Sequence, residues 1–327
     1  SYNAYNKSFS EEREKKRTVY LLGQGWLAKG FMDHINHKKV DVINIYKDKF
    51  IHSPLILPNI NNTISTDIDF EKKYSNTTYI QDTIMDIDIH GKLIVTKNNT
   101  FDFEDDIVVC GLGSEQPLTS TKQIIDNLDN NLTQDITIVG TGVVGTEIAF
   151  HLKDKVHDIK MYEALPTSHE YLGERLQKYI QKRMDDNNIS IKTNTYYNKN
   201  MNINNDYVIY AIGSKSNMLT SKWGITDTLR KVYNENIYFG GDCINPCENH
   251  GMYTCDSKNR HAQLAYDHGK HIANNINFSK DKVYKVKTFL STLYIGDSMC
   301  AIYNPSWNMY IIVPSFIVEK YHQLFNV

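Results

Sequence analysis

One pattern limits the possible folds of this chain more than any other: a strand–glycine–helix–strand unit that occurs twice. The first copy spans residues 18–46 and carries the motif Gly23-Gln24-Gly25-Trp26-Leu27-Ala28 directly after an apolar strand. The second spans residues 136–162 and carries Gly140-Thr141-Gly142-Val143-Val144-Gly145 in the same place. Each copy is typical of two parallel strands joined by a helix. The sequence therefore predicts an α/β fold with two Rossmann-like dinucleotide-binding domains.

The spacing of the two copies predicts how the domains are arranged. The second copy starts about 115 residues after the first, and further strands at 208–211 and 236–240 follow it. We therefore expect the second domain to be inserted within the first, with short hairpins over 59–106. The expected order is a polar N-terminal lead-in over 1–16, a first dinucleotide-binding domain over 17–116 and 233–282, a second over 117–232, and a small C-terminal β/α segment over 283–327.

The second glycine motif has the chemistry that a dinucleotide requires. Gly140 permits a tight turn, Gly142 lets the backbone approach a pyrophosphate, and Gly145 lets the helix pack close to the strand. The phosphates would lie at the helix N-terminus, where unpaired N–H groups favour anions. Glu163 ends the next strand, where a carboxylate can accept both ribose hydroxyls and would repel a 2′-phosphate. The motif therefore favours NADH over NADPH.

The first motif is less complete. Gly23 and Gly25 are present, Ala28 takes the third position, which the pattern tolerates, and the helix is expected to run to about residue 37. The second strand offers no well-placed carboxylate except Asp48. Asp242 follows the strand at 236–240 and is the kind of strand-end acid that hydrogen-bonds a ribityl or phosphate oxygen. We therefore predict a second nucleotide here, bound without the usual acidic partner at its ribose.

Composition narrows the class of protein. The formal net charge of -2 gives no electrostatic footprint for nucleic acid. No stretch reaches the ~18 uninterrupted apolar residues that a membrane-spanning helix needs, so we expect membrane contact to be peripheral at most. The five cysteines form no C-x-x-C pair and are odd in number, which predicts reduced thiols in an intracellular compartment and no metal site.

Several segments, in the same order along residues 17–296, resemble type II NADH dehydrogenases. These enzymes belong to the two-dinucleotide flavoproteins of the pyridine nucleotide-disulfide oxidoreductase superfamily. The segments that carry the resemblance are the Gly23–Trp26 opening with Phe31, the aromatic and Pro-Leu-Ile-Leu-Pro run at 50–58, residues 101–115, 163–166, 189–193, 211–213, 241–243, 262–265 and 294–296.

The resemblance implies an activity and roles for individual residues. The protein would bind FAD and NADH, transfer a hydride from NADH to FAD, and pass electrons to a quinone without pumping protons. Trp26 and Gly213 would help to hold the cofactors, Glu147 would lie beside the nicotinamide, and Gln263 would begin the helix that points at the flavin. The implied setting is the respiratory chain, in a mitochondrion-like organelle or on its inner membrane surface.

The sequence also departs from the family pattern. Asp267 replaces the second of the family's paired glutamines, in a region associated with the quinone. The C-terminal extension is short, and its last helix, expected over 315–325, could dock on the protein itself or on a membrane. Two alternatives stay open: a dithiol reductase that uses Cys243 and Cys247, and a catalytically degenerate accessory subunit of a larger assembly.

Overall fold

The computed structural model describes residues 16–48, 69–115, 135–198, 201, 207–213, 215–221, 228–231, 234–243, 262–285, 290–304 and 307–318. The strands are, in chain order, β1 (Arg17–Leu22), β2 (Val40–Tyr46), β3 (Thr77–Gln81), β4 (Ile84–Asp88), β5 (Leu93–Thr96), β6 (Thr100–Asp102), β7 (Ile107–Cys110), β8 (Ser114–Glu115), β9 (Ile136–Val139), β10 (Ile159–Tyr162), β11 (Ile189–Lys192), β12 (Tyr207–Tyr210), β13 (Lys215–Ser216), β14 (Arg230–Lys231), β15 (Asn234–Phe239), β16 (Ser291–Tyr294), β17 (Met299–Asn304) and β18 (Met309–Pro314). The α-helices are α1 (Trp26–Met32), α2 (Phe70–Lys73), α3 (Val143–Leu152), α4 (Glu174–Asp186), α5 (Met218–Ser221) and α6 (Ala262–Phe278).

The first glycine motif belongs to a six-stranded sheet with the order β14-β15-β7-β1-β2-β3. All neighbours in this sheet pair in parallel except β14 with β15. Every residue of β7, and the last four of β1, are buried, because layers cover both faces of the sheet. A three-stranded antiparallel sheet, β4-β5-β6, contributes Ile87 and Ile94 to the same hydrophobic core, and Phe103, directly after β6, joins them. The α/β fold class is thereby confirmed.

Helices α1 and α6 cross at two glycines. A Cβ atom on Gly269 would lie 2.6 Å from the Phe31 nitrogen, and one on Gly30 would overlap the Tyr266 carbonyl oxygen. The predicted end of α1 near residue 37 is wrong, since the helix ends at Met32. Asn277 of α6 explains the difference: its side chain bonds backbone groups of the turn that follows α1, the His34 carbonyl and the Asn36 N–H, at 2.8 Å each.

The second glycine motif belongs to a separate four-stranded parallel sheet with the order β11-β10-β9-β12. The antiparallel sheet β16-β17-β18 shares its hydrophobic core, through residues such as Leu293 and Ile295. Asp297 adds ion pairs to Lys153, the C-cap of α3, at 2.6 Å and to Arg183 in α4 at 2.5 Å. The C-terminal strands therefore pack on the second half of the molecule.

Two smaller predictions meet different outcomes. The strand predicted as a hairpin at Thr78–Ile80 instead extends the main sheet as β3, parallel to β2, whereas β5 does lie in a hairpin. Residues 315–318 are helical, and the remainder of the predicted last helix lies outside the described residues. Among the residues that the structure describes, no helix is long and apolar enough to cross a membrane.

Candidate nucleotide-binding sites

The second glycine turn is closed by backbone contacts. Gly140 has φ +104°, and a Cβ atom there would lie 2.5 Å from the Ala211 carbonyl oxygen at the end of β12. A Cβ on Gly145 would overlap the Gly140 carbonyl, so the helix could not approach the strand with a larger residue. Gly142 is the N-cap of α3 and no side chain caps it, so the first N–H groups of the helix are available for an anion.

Glu163 closes the turn from the neighbouring strand. Its Oε2 atom accepts hydrogen bonds from the Thr141 backbone N–H at 3.0 Å and the Thr141 hydroxyl at 2.7 Å, and its Oε1 atom accepts from the Leu165 N–H at 3.0 Å. Burial alone would raise the pKa of Glu163, but these hydrogen bonds outweigh it and hold the pKa below its ordinary value. The carboxylate is therefore charged and held in a fixed orientation against the glycine turn.

His169 is buried against the same turn. Its side chain is 1% exposed, its backbone N–H donates to the Thr141 hydroxyl at 3.3 Å, and its φ of 56° is in the left-handed region. Neither ring nitrogen has a hydrogen-bond partner. Burial lowers the pKa of His169 to about 4, against the opposing effect of the Glu163 charge. The imidazole is therefore neutral at physiological pH.

The first glycine turn has the same backbone geometry but different side chains. Gly23 has φ +96°, and its N–H donates to the Ile45 carbonyl at 2.8 Å, as that of Gly140 does to Tyr162 at 2.7 Å. Instead of a carboxylate, the buried Asn44 holds the turn. Its amide donates to the carbonyls of Leu21 and Gly23 at 2.9 Å each and accepts from Gln24 Nε2 at 3.1 Å.

Tyr46, and not Asp48, occupies the position that Glu163 has in the second half. Tyr46 lies 23 residues after Gly23, and Glu163 lies 23 residues after Gly140. The Tyr46 hydroxyl donates to Glu71 Oε1 of α2 at 2.7 Å. Burial, followed by the Glu71 carboxylate, raises the pKa of Tyr46 to about 12, so the hydroxyl remains a donor. Equal spacing in the two copies was the signal in the sequence that could have identified Tyr46.

The other predicted residues of the first site follow the carboxyl ends of the parallel strands or begin the adjacent helices. Trp26 begins α1 and is partly buried, and Ala28 is fully buried at the third position of the motif. Asp242 is partly buried in the 3₁₀ turn after β15, which is separated from β1 by β7. Gln263 is in the first turn of α6, whose His268 accepts the Gly241 N–H at 3.0 Å. Asp48 lies beyond the strand end and is exposed.

Two predicted residues of the second site flank the turn. Gly213 follows β12 with φ +82°, and nothing lies within 4 Å of a Cβ placed on it. Glu147 lies one turn further along α3, where its Oε1 atom accepts the Tyr294 N–H from β16 at 3.0 Å. Burial raises the pKa of Glu147 to about 7, although the Tyr294 hydrogen bond opposes the shift. This carboxyl group can therefore hold or release a proton near neutral pH.

A family model for pyridine nucleotide-disulphide oxidoreductases matches residues 16–269, which include both glycine turns. The chain belongs to this family. No curated protein sequence is significantly similar to it. The match confirms the predicted superfamily, that of the pyridine nucleotide-disulfide oxidoreductases.

Solved structures of several oxidoreductases resemble this pyridine nucleotide-disulphide oxidoreductase. NDH2 from Plasmodium falciparum in complex with NADH aligns with a TM-score of 0.75 and 16% identity, over 95% of each chain. NADH:rubredoxin oxidoreductase from Clostridium acetobutylicum aligns with a TM-score of 0.67 and 19% identity, over 88% of this chain and 82% of that one. Reduced CoADR-RHD from Bacillus anthracis aligns with a TM-score of 0.69 and 15% identity. The alignment covers 89% of this chain but only 62% of that protein. At such identities the likeness concerns the fold alone.

The name of the family refers to a redox disulphide. The structure describes Cys243, one of the two cysteines that a dithiol reductase would use. Cys243 is fully buried, and its thiol donates to the Gly240 carbonyl at 3.1 Å. Burial raises the pKa of Cys243 to about 11, so little of the reactive thiolate forms at neutral pH. Cys247 and Cys255 lie outside the described residues. Among the described residues, no group of three or more His, Cys, Asp or Glu side chains could hold a metal ion.

Asp267, which departs from the family pattern, has a structural contact. Its Oδ2 atom accepts the hydroxyl of the buried Tyr284 at 3.1 Å. The Tyr284 ring also packs edge-on against His268, with centroids 4.5 Å apart, and against His271. Asp267 therefore helps to fix the segment after α6 against that helix.

Proposed function

We propose that this chain is an FAD-dependent NADH dehydrogenase of the type II kind, which passes electrons to a quinone-like acceptor. The observation that carries the proposal is the Thr141–Glu163 arrangement at the second turn, where an oriented carboxylate is available to ribose hydroxyls next to an uncapped helix N-terminus. The similarity to a solved NDH2 with NADH bound, over 95% of both chains, agrees with it.

The residues of the first turn fit FAD. A Cβ atom on Gly25 would meet nothing within 4 Å, so the backbone there is open to a pyrophosphate. Gln24 is 8% exposed, and its Oε1 atom has no hydrogen-bond partner, so it can accept a hydroxyl of a bound nucleotide. Gly23, Gly25 and Trp26 would hold the phosphates, with Asp242 at the far side of the sheet. When bound, FAD supplies the group that accepts a hydride from NADH.

The protein's own residues would align the two nucleotides and control charge. Glu163 orients the NADH ribose, and the α3 N-terminus at Gly142 neutralises the pyrophosphate. Glu147, with a pKa of about 7, holds a proton on the nicotinamide side. Gln263, in the first turn of α6, lies at the helix end whose dipole favours negative charge on the flavin.

The proposal includes the setting of the protein. The domain limits near 117 and 233, a mitochondrion-like organelle or its inner membrane surface as location, and a peripheral membrane contact through the C-terminal helix are parts of it. Support for the membrane contact comes from Phe316 and Ile317 in the C-terminal helical turn, which are 55% and 43% exposed.

A visible absorption spectrum before and after NADH tests the function. The purified chain should show flavin bands near equimolar with protein, and NADH should bleach them. Adding a soluble quinone under anaerobic conditions should restore them. Bleaching by NADH without recovery on addition of quinone would support NADH dehydrogenase activity but show that a quinone is not the electron acceptor.

One observation favours a second candidate, a catalytically degenerate accessory subunit of a larger assembly. Tyr46 stands where the second half has its ribose carboxylate, as expected if the first site had lost its cofactor. A chain that purifies colourless and takes up no FAD would establish this second candidate in place of the enzyme.

A further inference from the structure

The two halves differ at the residue that should hold the adenosine ribose of the first nucleotide. The registers of the strands are equivalent: β1 pairs Leu22 with Ile45, and β9 pairs Val139 with Tyr162. The next residue is Glu163 in the second half and Tyr46 in the first. A tyrosine in this place cannot accept both ribose hydroxyls as a carboxylate does. A carboxylate is nevertheless present, on Glu71 of α2, 2.7 Å from the Tyr46 hydroxyl.

We propose that Glu71 binds the ribose of the FAD adenosine, and that Tyr46 is the positioning residue that directs its carboxylate to this site. The inference rests on the proposed function, because it requires that the first site binds FAD. It assigns the role to Glu71, whose neighbour in the structure occupies the ribose position, in place of the sequence-predicted Asp48.

Helix α2 is short but firmly anchored, so Glu71 is held in place. Asp69 caps it by accepting the Lys72 N–H at 3.1 Å, and Phe70 is buried in the core. The Tyr79 hydroxyl, from β3, donates to the Phe70 carbonyl at 2.9 Å. The cap fixes the helical turn that contains Glu71, and Phe70 and its carbonyl hold that turn against the sheet that carries Tyr46.

A polar network fixes the far end of the same helix. The Tyr74 hydroxyl donates at 2.6 Å to Oδ1 of Asp33, the C-cap of α1, and Lys73 pairs with the same oxygen at 3.1 Å. Asp33 Oδ2 in turn pairs with the buried Lys29 at 2.7 Å and accepts the Tyr266 hydroxyl of α6 at 3.2 Å. Helix α2 is thereby bound to the helix that follows the first glycine turn.

The orientation of the Tyr46–Glu71 pair also suits the role. Tyr46 is 2% exposed and uses its one hydroxyl proton on Glu71 Oε1. Glu71 itself is exposed, so its carboxylate can accept hydroxyl groups of a nucleotide that lies over the sheet edge. A hydrogen bond to a charged group of this kind changes affinity by about 10- to 100-fold.

The test compares FAD with FMN, which lacks the adenosine ribose. Flavin affinity is measured by fluorescence quenching on the full chain stripped of flavin, for the parent, Glu71→Gln, Tyr46→Phe and Asp48→Asn. We expect Glu71→Gln to weaken FAD binding by about 10- to 100-fold and leave FMN binding unchanged. Tyr46→Phe should weaken FAD binding by less, again without an effect on FMN. Asp48→Asn is the matched control and should change neither.

The outcomes separate this inference from the proposed function. If the parent binds FAD and Asp48→Asn, not Glu71→Gln, loses the preference over FMN, the assignment of Glu71 is wrong and the flavoprotein stands. Equal losses for FAD and FMN in Glu71→Gln would show a structural role of α2 and also overturn the assignment. A parent that binds neither flavin overturns the proposed function and this inference together.

Discussion

The two glycine turns share a backbone but are held by different side chains. At the second turn a threonine and a glutamate from adjacent strand ends, Thr141 and Glu163, make two hydrogen bonds at 3.0 and 2.7 Å. At the first turn two neutral amides, Gln24 and Asn44, make the equivalent contacts. The same turn can therefore be stabilised with or without a charge.

The difference separates two tasks that one residue often performs. In the second half Glu163 closes the turn, and in the proposed function the same carboxylate also binds the nucleotide ribose. In the first half Asn44 closes the turn, and the hydroxyl of the strand-end residue Tyr46 donates to the carboxylate of Glu71 in α2. If Glu71 binds the ribose as proposed, the first site depends on tertiary contacts of α2, whereas the second is built within one β–α–β unit.

The largest expected effect comes from blocking each turn in isolation. Gly142 has φ -64° and Gly25 has φ -103°, so a side chain strains neither backbone, and both positions are open to a ligand. Gly142→Leu should reduce NADH affinity by about 100-fold or more and leave flavin bound, because its side chain occupies the phosphate site. Gly25→Leu should have the opposite pattern.

NADH titration calorimetry and the flavin-to-protein absorbance ratio measure the two effects, with circular dichroism as the folding control. Loss of flavin in Gly142→Leu with an unchanged fold would mean that the two sites are not independent, and the comparison between the halves would fail.

A smaller effect should distinguish the charges of the two ribose positions. Glu163→Gln should reduce the preference for NADH over NADPH by roughly 10-fold, since the neutral amide no longer repels a 2′-phosphate. The measurement is the rate of flavin bleaching with each nucleotide. Glu71→Gln and the exposed Glu170→Gln should leave the ratio of the two rates unchanged. A parent that is bleached at equal rates by both nucleotides would contradict the role of Glu163.

The smallest effect concerns pH and the buried His169. Its pKa is about 4 in the folded protein and near 6.5 when unfolded, so the unfolded chain takes up a proton first as the pH falls. The free energy of unfolding should therefore decrease between pH 6.5 and 4, by on the order of 3 kcal/mol from this residue. His169→Asn, which tolerates the left-handed backbone, should flatten that part of the curve. Urea unfolding at pH 4.5, 5.5 and 7.5 provides the measurement, with the half-exposed His34→Asn as control.

The sequence was sufficient for the repeated core of each half. The unit predicted over 136–162 has the observed limits, from the start of β9 to the end of β10, and the unit predicted over 18–46 starts one residue after β1 does and ends with β2. These strands could be predicted because a buried parallel strand is a short continuous apolar run and its glycine turn follows at once. The family match over residues 16–269 confirms the pyridine nucleotide-disulphide oxidoreductase superfamily that the motifs indicated.

The site details that escaped prediction depend on contacts between distant residues. Tyr46 and Glu71 lie 25 positions apart, and no periodicity connects them. A lone histidine such as His169 carries no sign of burial in the sequence. The end of α1 was missed for the same reason, because Asn277, which takes the backbone groups beyond the helix, follows about 240 residues later.

The glycine contact between α1 and α6 has a consequence for how the chain folds during synthesis. The contacts of Gly30 with Tyr266 and of Gly269 with Leu27 can form only after strands β9–β12 have been made, and β15 must likewise be made before it can join β7. The continuous stretch β9–β12 can fold first. During this time β1, β2 and β7 form a sheet in which β7 lacks its partner β15 and is an exposed edge strand. Until α6 arrives, the apolar face of α1 is exposed on the ribosome, and this is the interval in which a chaperone would be most needed.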